Sequence, residues 1–245
     1  MRVLVTRPYD DALETAAKLK ALGHDPVIAP LLEIRFRDGE EIELDGVQAL
    51  LATSANGVRA LVRRTARRDV ALFAVGRQSA AVARAAGFAD VRSADGDGAA
   101  LARAAMQWTS RDGGALLHVV GRDTKGELSG TLETAGFVLR TIALYDAVAA
   151  ETLPQAAANA LRARALNAVL FFSPRSARIF RDLVRRAGLA ESCRAVRAAA
   201  ISEAAAKALD GFGFGAVRVA SHPDQDALLT LLDQPASCWQ PLPRL

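Results

Sequence analysis

The chain has 245 residues, of which 51% are hydrophobic and 24% are charged, with a formal net charge of +4 and a pI near 9.5. This length suits one large or two small domains, and no apolar run reaches the ~20 residues that a membrane-spanning helix needs. The N-terminus turns polar within ten residues and lacks the apolar stretch of a signal peptide, so we expect a cytoplasmic protein that does not contact a membrane.

The basic charge permits an anionic ligand but does not indicate nucleic acid. Basic residues are scattered, except in residues 63–68, and no aromatic side chains that could stack on bases accompany them. We interpret residues 63–68 as the solvated end of a helix. The two cysteines, Cys193 and Cys238, lack metal-ligand spacing and are expected to be reduced thiols.

Strand and helix patterns alternate along the chain, with short turns marked by glycine, which is typical of an α/β fold with parallel sheets. The predicted strands or extended segments are residues 2–6, 25–36, 47–53, 69–76, 116–121, 137–148, 166–172, 196–202 and 216–221. The predicted helices are residues 10–23, 55–66, 77–87, 96–108, 126–136, 174–188, 203–213 and 224–234.

The second half of the chain repeats the pattern of the first. "VQALLATSANGVRAL" is similar to "LNAVLFFSPRSARIF", and "LFAVGRQSAAVARAAG" is similar to "AAAISEAAAKALDGFG". The offsets between the copies differ by only a few residues, which indicates an internal duplication. Ser54 in the first copy therefore corresponds to Ser173 in the second.

Small hydrogen-bonding residues follow the predicted strands in both copies. In a parallel sheet the strands' carboxyl ends and the N-termini of the following helices share one edge, where free N–H groups attract anions. A serine at a helix start is by itself an ordinary cap, so the hypothesis depends on the recurrence. The candidate anion-binding residues are Thr6, Arg7, Thr53, Ser54, Asn56, Gly76, Ser79, Gly121, Arg122, Ser173, Ser176 and Ser202.

Sequence motifs for nucleotide, metal or nucleophilic-elbow chemistry do not occur in the chain. The histidines are isolated, and we expect His118 in the core and His24 at the surface. An enzyme with this sequence would act chiefly by holding and orienting its substrate. A phosphosugar-binding protein whose Ser/Thr loops grip phosphate fits the same pattern.

Tyr145 is one of only two tyrosines and lies in "RTIALYDAV". A phenol at this position could donate a proton to a departing oxygen. The alternative is an amphipathic packing residue whose hydroxyl has a partner in the protein.

Several short motifs occur in a characteristic order over about residues 3–232: "VLVTRP", "LLATSANGVRAL", "FAVGRQSAAVARAAG", "LHVVGR", "IALYDAV", "VLFFSPRSARIF" and "AAISEAAAKAL". Their order and spacing resemble the uroporphyrinogen-III synthase family of tetrapyrrole biosynthesis. The resemblance implies two similar α/β lobes with parallel sheets flanked by helices, joined by two extended strands, with the active-site cleft between the lobes. The implied lobes are residues 1–35 with 149–245, and residues 36–148.

The resemblance also implies an activity. A monomeric hydro-lyase without cofactor or metal would cyclise hydroxymethylbilane to uroporphyrinogen III, with loss of water and inversion of ring D. The candidate anion-binding residues would bind the eight substrate carboxylates, and Tyr145 matches the family's tyrosine that assists departure of the hydroxyl. Ala205 stands where the family often has threonine. A non-catalytic domain of this fold that binds a tetrapyrrole or another polyanion is the alternative.

Overall fold

The structure, a computed structural model, describes residues 1–123 and 127–235, apart from the side chain of Glu127. Strands and helices alternate, which confirms the predicted α/β class. The strands are β1 (Arg2–Val5), β2 (Asp25–Ile28), β3 (Leu32–Phe36), β4 (Val47–Ala52), β5 (Ala71–Ala74), β6 (Val91–Ser93), β7 (Ala115–Gly121), β8 (Leu139–Ala149), β9 (Ala168–Phe171), β10 (Arg197–Ala200) and β11 (Ala216–Val219).

The helices flank the sheets, and most of them begin directly after a strand. They are α1 (Tyr9–Ala21), α2 (Ala55–Val62), α3 (Arg77–Ala85), α4 (Gly98–Trp108), α5 (Glu127–Thr134), α6 (Gln155–Arg162), α7 (Pro174–Arg186), α8 (Glu203–Lys207) and α9 (Gln225–Thr230). Two short 3-10 segments cover Ala190–Cys193 and Leu231–Asp233.

The chain divides into two compact units, and each contains one sheet. Unit 1 comprises Met1–Glu33 and the chain from Val148 onward, and unit 2 comprises Ile34–Ala147. The chain therefore passes from one unit to the other once within β3 and once within β8. The sheet of unit 1 has the order β11-β10-β9-β1-β2, and that of unit 2 has the order β3-β8-β7-β4-β5-β6.

The two sheets share one strand order when the copies of the sequence repeat are matched. If β7, β8, β9, β10 and β11 are taken as the equivalents of β1, β2, β4, β5 and β6, then unit 1 and the last five strands of unit 2 have the same order. The pairings among these strands are parallel in both sheets. Each unit thus combines the first part of one sequence copy with the second part of the other.

Both faces of each sheet are covered, since apolar side chains alternate between two clusters. In unit 1, Leu4 and Phe171 pack with α6 and α7, while Val5 and Leu170 pack with α1 and α9. Unit 2 has the same arrangement on the two faces of β4. Rigid sheets of this kind fix the positions of the residues at their strand ends.

Some predicted elements were wrong or missed. Strand β6 and helix α6 were not predicted, because the first is only three residues long and the second lacks the glycine that marks the other helix ends. The helix predicted over residues 203–213 ends at Lys207 and is followed by turns, in which Gly211 and Gly213 adopt positive φ angles of 65° and 94°.

The basic segment 63–68 is not the solvated end of a helix, because α2 ends at Val62. The Arg64 guanidinium donates to the backbone carbonyls of Arg37 and Glu40. Arg67 binds carboxylates on two sides, those of Asp45 and Asp69. These arginines connect loops, so they are not a free basic surface for nucleic acid.

The histidines and cysteines were predicted with mixed success. His118 is buried as expected, but the prediction for His24 was wrong, because its side chain is only 8% exposed and its Nε2 lies 3.5 Å from Asp233. Cys193 is a buried free thiol. Burial raises the pKa of this thiol to about 12, which makes it unreactive at neutral pH. Cys238 lies outside the described residues.

Candidate functional site

Eight of the predicted site residues lie at one edge of the unit 2 sheet. Seven of them end or follow the adjacent strands β5, β4 and β7, whose carboxyl ends share this edge because the strands are parallel. The eighth, Tyr145, lies within the neighbouring strand β8 and pairs with Gly121 at the end of β7. We call this group the Tyr145 edge; it consists of Thr53, Ser54, Asn56, Gly76, Ser79, Gly121, Arg122 and Tyr145.

The central contact of the Tyr145 edge joins two hydroxyl groups. The Tyr145 phenol oxygen lies 2.9 Å from Ser54 Oγ, and either atom can donate the hydrogen bond. Ser54 Oγ also accepts the N–H of Gly57 at 3.0 Å, which caps the start of α2. The phenol is therefore linked through one serine to the positive end of a helix dipole.

The Tyr145 side chain is largely buried but is still partly accessible to solvent. The residue is 9% exposed, and it packs in the cluster that contains Leu144 and Val119. A buried phenol with a polar neighbour is oriented by its surroundings rather than by water. A phenol that is held in one orientation can donate its proton to a substrate group bound in the matching position.

Arg122 binds β8 beside Tyr145 through both its backbone and its side chain. Its N–H donates to the carbonyl oxygen of Tyr145 at 3.0 Å, and its Nε lies 3.0 Å from an Asp146 carboxylate oxygen. The Arg122 side chain is 62% exposed, so this ion pair is weak and a ligand carboxylate could replace it. No pattern in the sequence had identified Asp146 as a partner.

Two helix N-termini complete the Tyr145 edge. Asn56, in the first turn of α2, is buried and its side-chain oxygen accepts from Arg59 at 2.8 Å. Gly76 precedes helix α3 as its N-cap residue, and in the described residues no side-chain hydrogen bond caps this helix. Main-chain N–H groups at such a start are suited to a carboxylate.

The other five predicted residues lie at the corresponding edge of the unit 1 sheet, at the carboxyl ends of β1, β9 and β10. We call them the Ser173 edge: Thr6, Arg7, Ser173, Ser176 and Ser202. Ser173 caps α7 by accepting the N–H of Ser176 at 3.1 Å, as Ser54 caps α2 in unit 2. Ser202 accepts the N–H of Ala205 at 3.3 Å, so the alanine at this position still contributes its backbone.

Thr6 and Arg7 form bonds inside unit 1. The Thr6 hydroxyl donates to the Leu170 carbonyl at 2.9 Å. The Arg7 guanidinium lies 3.3 Å from the Asp11 carboxylate and donates to Gln225 Oε1 at 2.6 Å. These groups are engaged with the protein, so ligand binding by Thr6 and Arg7 stays a prediction.

Neither a metal-ligand cluster nor a membrane-spanning helix occurs in the part of the chain that the structure describes. Across residues 1–123 and 127–235, no group of three or more His, Cys, Asp or Glu side chains could hold a metal ion. None of the helices described there is both long and apolar enough to cross a membrane.

Comparison with known proteins identifies one family and several solved structures that this chain resembles. The family described as uroporphyrinogen-III synthase HemD matches residues 14–230. A crystal structure of a mutant uroporphyrinogen III synthase from the bacterium Thermus thermophilus is 17% identical, covers 95% of this chain and 97% of that chain, and has a TM-score of 0.53. Uroporphyrinogen-III synthetase from Helicobacter pylori is 16% identical, with 95% and 98% coverage and a TM-score of 0.64. No curated protein sequence matches the chain.

Proposed function

The chain belongs to the uroporphyrinogen-III synthase family, and from this premise we propose that it closes hydroxymethylbilane to uroporphyrinogen III with loss of water and inversion of ring D. The observation that carries the proposal is the family match over residues 14–230, which contains every candidate residue except Thr6 and Arg7. Members of the family are lyases of heme biosynthesis. That this one is a cytoplasmic monomer stays a prediction.

We further propose that the Tyr145 edge and the Ser173 edge each bind carboxylates of the substrate. The substrate has eight carboxylates, and each edge offers helix N-termini whose N–H groups attract anions. The Ser54 hydroxyl also lies 2.9 Å from the Tyr145 phenol oxygen, and the Ser173 hydroxyl lies 3.0 Å from Ser176 Oγ, so each edge presents a pair of linked hydroxyl groups beside its helix start. Recognition through backbone groups explains why the sequence needs no cluster of exposed lysines.

For Tyr145 we propose the role of proton donor. The phenol proton passes to the terminal hydroxyl of the bilane, the carbon–oxygen bond breaks, and water leaves. The nitrogen lone pair of the pyrrole that bore the hydroxymethyl group forms the exocyclic carbon–carbon double bond, and loss of its N–H proton to the tyrosinate gives a neutral azafulvene. The substituted carbon of ring D then attacks the methylene carbon to form a spiro intermediate, which fragments and recloses with ring D inverted. The contact with Ser54 supports this role, since it orients the phenol beside the end of β7.

The isomer assay tests the proposed function. Hydroxymethylbilane is supplied by a coupled deaminase, and the products are separated after oxidation to porphyrins. We expect the type III isomer well above the spontaneous background. Only type I at the spontaneous rate would reject the synthase, and tight uroporphyrinogen binding without turnover would instead support the regulatory alternative, which the family match does not favour.

We predict that Tyr145→Phe lowers kcat about ten-fold or more while leaving stability near that of the parent. The substitution removes only the hydroxyl and keeps the ring that packs in the core. The effect stays below that of a complete loss, because the terminal hydroxyl also departs without an enzyme when the substrate closes spontaneously to the type I isomer. Steady-state kinetics of type III formation, with urea unfolding of both proteins, measures it.

The matched control is Tyr9→Phe, because Tyr9 is the other tyrosine and is 60% exposed. Its turnover should equal that of the parent. An unchanged kcat in Tyr145→Phe would remove the phenol from the reaction but would leave the family assignment intact.

A further inference from the structure

We propose that Gly121 is a positioning residue for Tyr145, an inference that rests on the function proposed above for the phenol. A glycine at a strand end can serve a ligand by letting it approach the backbone, which is how the sequence alone would be interpreted. The structure places the Tyr145 ring, rather than open space, against the Gly121 Cα.

An irregularity in β8 brings the ring to this place. Val120 of β7 pairs with Ala143, but Gly121 pairs with Tyr145, so Leu144 is an extra residue in β8. Consecutive side chains of a regular strand point to opposite faces of the sheet. Because of the bulge, Leu144 and Tyr145 both belong to the cluster beneath α2.

The ring then fills the space that a side chain at position 121 would occupy. A Cβ added to Gly121 would lie 2.8 Å from Cε2, 2.9 Å from Cζ and 3.2 Å from the hydroxyl oxygen of Tyr145. Carbon atoms in contact need about 3.5 Å or more, so the ring would have to move by about 0.7 Å. The nearest atoms belong to the reacting end of the phenol.

Ser54 contacts the hydroxyl of the same ring. Its Oγ lies 2.9 Å from the phenol oxygen and is itself held by the Gly57 N–H. Moving the ring away from Gly121 would lengthen or bend this hydrogen bond. Gly121 therefore acts on the reaction through the phenol, and Ser54 defines where the phenol must be.

Gly121→Ala tests the proposal. We expect kcat to fall about ten-fold or more, since a displacement approaching 1 Å can cost up to about 100-fold. KM should stay near the parent value, because the change acts on the phenol. A KM increase with kcat unchanged would instead assign Gly121 to substrate binding and would overturn the positioning role.

A double-mutant cycle separates positioning from structural damage. In a Tyr145→Phe background, Gly121→Ala should change kcat less than about two-fold, because residues that act as a unit are not additive. Equal fold-losses in both backgrounds would contradict the proposal. Gly130→Ala is the matched control, because a Cβ there meets no atom within 4 Å.

Tyrosine NMR gives a readout that does not depend on activity. The chain has two tyrosines, so a Tyr9→Phe protein labelled with carbon-13 tyrosine gives ring signals from Tyr145 alone. Gly121→Ala should shift these signals, whereas Gly130→Ala should not. If Gly121→Ala does not fold, the same substitution is made in a Tyr145→Leu protein, which lacks the ring atoms that the added Cβ would meet. Folding should then recover, and failure to recover would overturn the proposed contact.

The outcomes distinguish this proposal from the proposed function. Unmoved ring signals in a folded Gly121→Ala protein, with parent kcat, would overturn the positioning role alone. If the parent makes no type III isomer, the synthase function fails, but the ring signals still decide whether Gly121 sets the place of the phenol. Shifted signals with coupled kinetics would support both.

Discussion

Asp11→Asn should lower the free energy of unfolding by about 3 kcal/mol, because it leaves the buried Arg7 cation beside a neutral side chain. The Asp11 carboxylate lies 3.3 Å from the guanidinium, and the side chains of the two residues are 7% and 9% exposed. Asparagine keeps the shape but not the charge. Two further acceptors of the guanidinium, Thr15 Oγ1 at 3.4 Å and Gln225 Oε1 at 2.6 Å, are neutral.

Asp10→Asn is the control for the Asp11 substitution. Asp10 lies in the same first turn of α1 but is exposed. Its replacement therefore removes only a favourable interaction with the helix dipole, which contributes at most about 1 kcal/mol to stability. Urea unfolding of both variants measures the difference. Equal losses would mean that the Arg7–Asp11 pair contributes no more than a surface charge.

Replacing both charges tests whether the cost comes from the unpaired cation. A double variant, Arg7→Met with Asp11→Leu, should recover much of the stability lost in Asp11→Asn, since apolar pairs often replace buried ion pairs without loss. Its catalytic constants would also show whether Arg7 is needed for the substrate. Recovered stability with a raised KM would support the prediction that Arg7 binds carboxylates.

The alternation of strands and helices could be predicted because it is written in local patterns. Apolar runs, Gly-marked turns and the serine caps at Ser54 and Ser173 each lie within a few residues of the element they define. The repeat indicated that the two halves of the chain form similar structures, and the shared strand order of the two sheets agrees with this. Short or weakly marked elements such as β6 and α6 gave no comparable signal.

The contacts of the candidate site could not be predicted in the same way. Ser54 and Tyr145 are 91 residues apart, and Arg7 meets Gln225 across 218 residues. Pairs at such separations depend on how the strands align, and the bulge at Leu144 is visible only in the strand register. The sequence could therefore indicate which edges carry polar groups, but not which groups bind each other instead of a ligand.

Because of His118, the free energy of unfolding should decrease as the pH falls from 6.5 to 4. The residue is only 1% exposed, and desolvation lowers the pKa of its imidazole from 6.5 to about 4. Its Nδ1 lies 3.4 Å from Ser129 Oγ, and among the described residues its Nε2 has no hydrogen-bond partner. Burial of the neutral ring inside unit 2 is therefore tolerated, but burial of the charged ring is not.

The sign follows from proton binding. Between pH 6.5 and 4 the unfolded chain protonates His118 while the folded chain does not, so the unfolding free energy falls as the pH falls. The full loss from this residue is about 3 kcal/mol, and it is complete below pH 4. Above pH 6.5 both states are neutral and the residue adds no pH dependence.

Urea unfolding at several pH values measures this effect by the difference between variants. His118→Leu should lose less stability than the parent between pH 6.5 and 4, by up to about 3 kcal/mol, whereas carboxylates contribute equally to both proteins. His222→Asn is the matched control, because His222 is exposed beside Ser221. Parallel pH curves for the parent and His118→Leu would contradict this prediction. They would show that the imidazole is protonated equally well in the folded state, because water or local unfolding gives it access to solvent.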